Sequence, residues 1–177
     1  MLKEATNQFE AGQYEVAADK TDDTIESITT QRRLIESYRE AQTTLEQHQK
    51  EAENENIQLI ESQTLQNTAH DKFEAEEYAS ANQQMNLAAE TAESTIETAK
   101  TARNGINTAE KFDPIQPFVN TLANQFGSQK HLLAAKGAYQ SGKYERALSH
   151  GKQARNAQQA ARLAVNGGIA VTGATAY

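Results

Sequence analysis

Four histidines and 24 acidic residues are the side chains of this chain that could ligate a metal or transfer protons. Helical zinc and di-iron sites place histidines and carboxylates one turn apart, for example as Glu-x2-His. His48, His70, His131 and His150 occur in no Glu-x2-His or His-x3-His pair. His70 and Asp71 are adjacent, so they point to different faces of a helix. The pattern of a helical metal site is therefore missing, and we expect no metal and no cofactor.

Nucleophilic and phosphate-binding motifs are also missing from the sequence. There is no cysteine, which excludes disulfides and thiolate chemistry. Gly167 and Gly168 are not followed by the Lys-Ser/Thr of a phosphate loop, and no Gly-x-Ser-x-Gly occurs. We therefore expect that this chain is not an enzyme.

A five-position pattern, Ala-x3-Phe/Tyr-x2-Gly/Glu-x-Tyr-x2-Ala, occurs three times and predicts three helix-turn-helix corners with buried rings. Its alanine and first aromatic residue lie four positions apart and share a helix face. The glycine ends the first helix, and the tyrosine folds its ring back onto the first aromatic residue. The second copy has Glu76 in the glycine position, so its turn either has another shape or the helix continues through it. The expected structural residues are Ala5, Phe9, Gly12, Tyr14, Ala17, Ala69, Phe73, Tyr78, Ala81, Ala135, Tyr139, Gly142, Tyr144 and Ala147.

These intervals resemble those of the tetratricopeptide repeat, in which small, aromatic, glycine, tyrosine and small residues follow one another at the same spacing. The resemblance covers about 13 residues per copy and implies helical hairpins that bind other proteins. The copies begin at Ala5, Ala69 and Ala135, so their spacing is nearly twice the period of roughly 34 residues in that family. The family's proline is also missing. The alternative interpretation is an ordinary antiparallel helix corner reused by internal duplication.

The composition predicts an all-α fold. The 177 residues include two prolines, and no run of alternating β-branched residues indicates a sheet. Hydrophobic residues make up 37% of the chain, which is lean for a thick core and favours an elongated antiparallel bundle or stacked hairpins. We expect about six helices in one domain, 1–165, with repeats at about 1–56, 57–112 and 113–165. The fifth helix is expected to start at Asp113-Pro114 and to run through Tyr139.

Charge is distributed unevenly along the chain. The formal net charge is −7, yet residues 130–162 carry seven basic residues and one acid, a net charge of +6. These basic residues either pair with acidic helices of the same fold or contact an anionic partner. The candidates are Lys130, Lys136, Lys143, Arg146, Lys152, Arg155 and Arg162.

The last residues form an uncharged tail, 166–177, that follows this basic segment. Flanking positive charge is typical of the cytoplasmic end of a membrane anchor. The uncharged run from Leu163 to Tyr177 is nevertheless shorter than the roughly 20 apolar residues that span a bilayer. The tail is therefore flexible, packed on the protein, or the start of an anchor. No signal peptide is visible, and the location, cytoplasmic or membrane-associated, stays open.

The sequence thus favours a non-catalytic helical scaffold that binds another protein or a peptide. Residues Asn82, Gln83, Gln84 and Asn86 are candidate polar contacts for a peptide. The alternative is a membrane-proximal sensor or cell-envelope domain, supported by the basic segment and the tail. A weaker alternative is nucleic-acid binding through the basic hairpin, which lacks a recognised motif in a net acidic chain.

Overall fold

The computed structural model describes residues 2–112 and 117–174, with side chains up to residue 166. The described residues are all-α, without a strand, as the sequence predicted. Their helices are α1 (Leu2–Glu10), α2 (Tyr14–Asn54), α3 (Ile60–Glu74), α4 (Tyr78–Glu110), α5 (Pro117–Gln125), α6 (Ser128–Gln140) and α7 (Tyr144–Ala174).

The expected fifth helix is two helices, so the described chain has seven helices and not about six. The break falls at Phe126 and Gly127, where Gly127 has a left-handed backbone with φ 85°. Glycine adopts this conformation without the steric cost that a Cβ would add. The helix start expected at Asp113-Pro114 lies outside the described residues.

Helix α7 is longer than the sequence indicated. The domain was expected to end at residue 165, but the backbone stays helical to Ala174, through most of the uncharged tail. Among residues 2–112 and 117–174, no helix is both long and apolar enough to cross a membrane.

The described chain forms two compact units, which do not follow the three repeat boundaries drawn from the sequence. Unit 1 comprises residues 2–50 and 60–92, and unit 2 comprises residues 51–59 together with the described residues after 92. Each unit contains complete helical corners: the first and second corners lie in unit 1 and the third in unit 2.

The core of unit 1 is built from α2, α3 and α4. Helix α4 buries Ala81, Met85, Ala88 and Ala92, whose spacing of three or four residues keeps them on one face. The small alanines let the helices approach closely, and the Ser62 hydroxyl of α3 donates to the Ala88 carbonyl oxygen at 2.8 Å. This bond satisfies a hydroxyl that is almost fully buried.

The core of unit 2 joins the second half of α4 to α6 and α7. Backbones of α4 and α7 come close, since a Cβ at Gly151 would lie 3.7 Å from the Gly105 carbonyl carbon. Further along both helices, the buried Gln158 amide donates to the Ala109 carbonyl oxygen at 2.9 Å. Gly105 of α4 lies beside Gly151 of α7, and the later Ala109 bonds to the later Gln158. The two helices therefore run parallel. Helix α5 packs on α7 through a small apolar cluster of Val119, Ala123, Ala161 and Val165.

Candidate functional site

The three corners share one turn geometry. Gly12, Glu76 and Gly142 all have positive φ, at 79°, 61° and 70°. In the first corner the glycine amide donates to the Phe9 carbonyl at 3.0 Å, and the amide of the next residue donates to the Gln8 carbonyl at 3.0 Å. The other two corners repeat both bonds, at 2.9 to 3.1 Å. This pair of bonds is the Schellman arrangement that ends many helices.

Glu76 therefore does not change the turn, contrary to both alternatives considered from the sequence. A left-handed backbone costs a non-glycine residue roughly 1–2 kcal/mol. Glu76 adopts this backbone nevertheless, and the turn bonds of Glu76 and Glu77 match those of the glycine corners.

Each corner also has the same pair of aromatic rings in edge-to-face contact. The ring centroids are 5.2 Å apart in the first corner, 5.3 Å in the second and 5.1 Å in the third. The interplanar angles are 68°, 71° and 66°, which is the geometry that aromatic quadrupoles prefer. The six alanines of the pattern are buried: Ala5, Ala17, Ala69, Ala81, Ala135 and Ala147.

The corners differ in what covers the rings. In corner two (Phe73 and Tyr78), Tyr38 of α2 stacks on Phe73 with centroids 4.5 Å apart. Burial raises the pKa of the Tyr38 phenol. Both rings of corner two are half-buried.

In corner three (Tyr139 and Tyr144), Arg103 of α4 provides the cover. Its guanidinium carbon lies 5.5 Å from the centre of the Tyr139 ring, and its Nε donates to the Tyr139 hydroxyl at 2.9 Å. The Tyr144 hydroxyl accepts a hydrogen bond from the Gln58 backbone amide at 2.7 Å, and Tyr144 is only 5% exposed.

Corner one (Phe9 and Tyr14) lacks such cover among the described residues. Phe9 is 61% exposed and Tyr14 is 64% exposed, although their ring contact is intact. The expectation that every corner ring is buried is therefore wrong for this corner. The pattern specifies the turn and the ring pair, whereas burial depends on side chains from other helices.

The uncovered rings border a groove of about 510 Å³ between α1 and α2, which we call the corner-one groove. Its lining is mainly apolar: Leu2, Ala5, Thr6, Phe9, Tyr14, Ala17, Ala18, Thr21 and Asp22. Further exposed apolar side chains on the same hairpin are Val16, Ile25 and Ile28. Residues 1–30 carry seven acids and two lysines, a net charge of −5.

The seven basic candidates lie on α6, on α7 and in the turn between them. The structure brings Arg155 and Arg162 together and leaves the others spread over the unit. Lys136 forms an ion pair with Glu110, which agrees with the intramolecular interpretation of the basic segment.

Arg155 and Arg162 line a cavity of about 520 Å³ between α4 and α7, which we call the α4/α7 pocket. Lys111, which directly follows α4, adds a third cation that the sequence analysis missed. Only the parallel pairing of α4 with α7 makes Lys111 their neighbour, and the sequence contains no local signal for that pairing.

Two further ion pairs of unit 2 were not foreseen. Lys100 pairs with Glu51 and Arg103 with Glu55. The hydrogen bond to Glu51 raises the pKa of the Lys100 amine. For Arg103, burial lowers the guanidinium pKa, but the bonds to Glu55 and Tyr139 outweigh it and leave the pKa raised.

The polar candidates of α4 lie in its first turns. Asn82 and Gln84 are half-buried, and Gln83 and Asn86 are exposed. The Asn86 amide donates to the Asn82 side-chain oxygen at 2.9 Å. They stay a proposed polar contact surface.

The histidines do not form a metal site with carboxylates in the described part of the chain, where no group of three or more ligating side chains occurs. His131 and His150 stack with centroids 5.7 Å apart, and His150 bonds to Gln153 at 3.1 Å. His70 contacts Glu74 at 3.3 Å on the surface.

Comparisons with known proteins give no match to this chain among protein-family models, curated proteins or solved structures.

Proposed function

We propose that this chain is a non-catalytic helical scaffold built from three tetratricopeptide-like corners, and that corner one binds a helix of a partner protein. The observation that carries the proposal is the exposed ring pair of Phe9 and Tyr14, at 61% and 64% exposure. Two large aromatic rings beside an apolar groove are typical of a protein-binding surface.

The other two corners indicate what would bind there. Tyr38, which covers corner two, belongs to α2, the second helix of corner one. Arg103, which covers corner three, belongs to α4, the second helix of corner two. In both cases a helix outside the corner presents an aromatic or arginine side chain to the first ring of the corner. A partner helix with such a residue would complete corner one in the same way.

The negative charge of the α1–α2 hairpin indicates which charge the partner helix should carry. Residues 1–30 have a net charge of −5, and Asp22 lies at the edge of the groove. An acidic surface attracts basic partners and repels acidic ones. The proposed partner is therefore an amphipathic helix with an apolar stripe and arginines beside it.

Two synthetic peptides of about 18 residues, five helical turns, test this proposal. Both carry the same leucine stripe, and their polar positions are arginine in one and glutamate in the other. Fluorescence anisotropy with the full chain should show binding of the arginine peptide, weakened by salt, and no binding of the glutamate peptide.

Variants then locate the surface. Phe9→Ala should weaken binding of the arginine peptide by about tenfold, because hot-spot aromatics contribute more than about 1 kcal/mol. The matched control is Phe118→Ala, since Phe118 of unit 2 is 63% exposed and lies outside the groove. Equal binding of both peptides, or equal loss in both variants, would contradict the proposal.

A second candidate function is attachment of unit 2 to an anionic membrane surface, which the seven basic residues of 130–162 favour. Sedimentation with anionic and neutral liposomes tests it, and binding to anionic liposomes alone is expected. No sedimentation would exclude this candidate. A salt-sensitive gel shift with nucleic acid instead would point to the weaker alternative.

A further inference from the structure

Three cations line one cavity in unit 2. The α4/α7 pocket is lined by Thr108, Lys111, Phe112, Arg155, Gln158, Gln159 and Arg162. Thr108 belongs to the last turn of α4, and Lys111 and Phe112 directly follow that helix. The four residues from α7 are spaced by three, one and three, so they lie on one side of that helix. These described residues supply three positive charges, three uncharged polar side chains and no carboxylate.

The cations of unit 2 differ in their partners and in their positions. Lys100, Arg103 and Lys136 each have a carboxylate partner. The side chains of Lys111, Arg155 and Arg162 form no ion pair and no hydrogen bond within residues 2–112 and 117–166, and the same holds for four other basic residues of α6, α7 and the turn between them. The three pocket cations differ from those four because they line one cavity. Lys111, Arg155 and Arg162 are exposed, so an anion bound in the pocket could accept hydrogen bonds from their N–H donors.

The pocket also holds one of its cations in place. The Arg162 guanidinium carbon lies 4.8 Å from the centre of the Phe112 ring, a cation–π contact. Stacking restricts the side chain while its N–H groups stay available at the edge of the guanidinium plane. The buried amide of Gln158, another lining residue, donates to the Ala109 carbonyl oxygen and so joins α7 to α4 beside the pocket.

One electrostatic contribution in the pocket opposes the binding of an anion, but it is smaller than that of the three cations. The C-terminus of α4 lies beside the pocket and carries roughly half a negative charge. Three full positive charges exceed it, and the nearby Glu110 is paired with Lys136. The pocket therefore favours a ligand with two or more negative charges.

We propose that the α4/α7 pocket binds a phosphate monoester. Planar arginines bind phosphate oxygens through two parallel hydrogen bonds, and a lysine adds a compact positive charge. The same chemistry is presented by a free phosphorylated metabolite and by a phosphomonoester lipid headgroup. Phosphate binding in unit 2 is independent of the function proposed for corner one.

Calorimetric titration of the full chain with sn-glycerol 3-phosphate tests the free ligand, with glycerol as the uncharged control. Vesicles of phosphatidylcholine with and without phosphatidic acid test the lipid source. Binding of either phosphomonoester is expected to weaken about tenfold or more in Arg162→Gln, because a charge-assisted hydrogen bond is lost. The affinity of Arg162→Lys for the phosphomonoester should lie between those of the original chain and Arg162→Gln, because lysine keeps the positive charge but lacks the planar guanidinium.

The matched control is Arg146→Gln, an exposed arginine of the same helix outside the pocket, which should bind as the original chain does. Circular dichroism confirms that each variant is folded. Binding of the soluble ester assigns a free metabolite, and binding of the vesicles alone assigns a lipid headgroup. The proposal is overturned if neither probe binds, or if Arg146→Gln and Arg162→Gln reduce binding equally.

Discussion

Corners one and three have the same local structure and opposite surroundings. The turn glycine has φ 79° in one and 70° in the other, and the ring centroids are 5.2 and 5.1 Å apart. Tyr144 is 5% exposed, whereas its counterpart Tyr14 is 64% exposed. The pattern thus determines the turn locally, and side chains distant in sequence decide whether the corner is core or surface.

The difference has a functional consequence. A corner that is completed by Arg103 and Gln58 contributes to stability, while an uncovered corner offers its rings to another molecule. We expect substitutions at corner three to affect folding and equivalent substitutions at corner one to affect binding.

The largest expected effect is that of Tyr144→Ala. Loss of a buried ring, its edge-to-face contact and its bond to the Gln58 amide should destabilise unit 2 by about 3–5 kcal/mol. Tyr14→Ala should cost about 1 kcal/mol or less, because most of that ring is already in water. Urea denaturation followed by circular dichroism measures both, and equal losses would remove the distinction between the corners.

The next effect concerns the cover of corner three. Arg103→Met should destabilise unit 2 by about 1–3 kcal/mol, since it removes the ion pair with Glu55, the hydrogen bond to Tyr139 and a cation–π contact. Lys136→Met, which breaks an ion pair without a ring contact, should cost less than about 1 kcal/mol. If the two variants unfold at the same urea concentration, Arg103 contributes no more stability than a surface ion pair, and its contacts with Tyr139 do not stabilise corner three.

Corner two allows the turn itself to be tested. Glu76→Gly should stabilise unit 1 by about 1 kcal/mol, because glycine relieves the strain of φ 61°. Gly12→Ala should have the opposite sign at corner one, where a Cβ would meet no atom within 4 Å and only the backbone is strained. Urea denaturation of each variant measures both changes, and a destabilising Glu76→Gly would show that the carboxylate has a structural role of its own.

The smallest effect is a pH dependence of unit 1. Burial raises the pKa of the Tyr38 phenol above its usual value of 10.0, so the unfolded chain loses the proton first. The resulting stability is fully present below about pH 10 and is lost as the pH rises through the folded-state pKa. Tyr38→Phe should make the loss of stability in alkaline urea titrations shallower, and an unchanged slope would contradict this assignment.

Much of the fold could be predicted from local sequence. Fixed spacings of alanine, aromatic and glycine residues determine the three corners because every interaction in the turn and the ring pair joins close neighbours in sequence. Gly127 could also have indicated the end of a helix, because glycine favours the left-handed backbone found there, although a continuous fifth helix was expected. The left-handed Glu76 could not be predicted, since its residue type argues against that backbone.

The candidate sites depend on contacts between residues far apart in sequence. Tyr38 reaches Phe73 and Lys111 joins Arg155 only after the helices have packed, and no local pattern specifies either pairing. The exposure of Phe9 has the same origin, because its sequence environment matches that of Tyr139. Local patterns therefore located the corner and the basic segment but not the uncovered rings or the pocket.

Chemical modification of tyrosines, with and without the arginine peptide and read out by mass spectrometry, tests the central claim most directly. We predict that Tyr14 is modified rapidly in the free chain, that the peptide protects it, and that Tyr144 is protected in both samples. Slow modification of Tyr14 in the free chain, or no protection by the bound peptide, would contradict the claim that corner one is an uncovered binding surface.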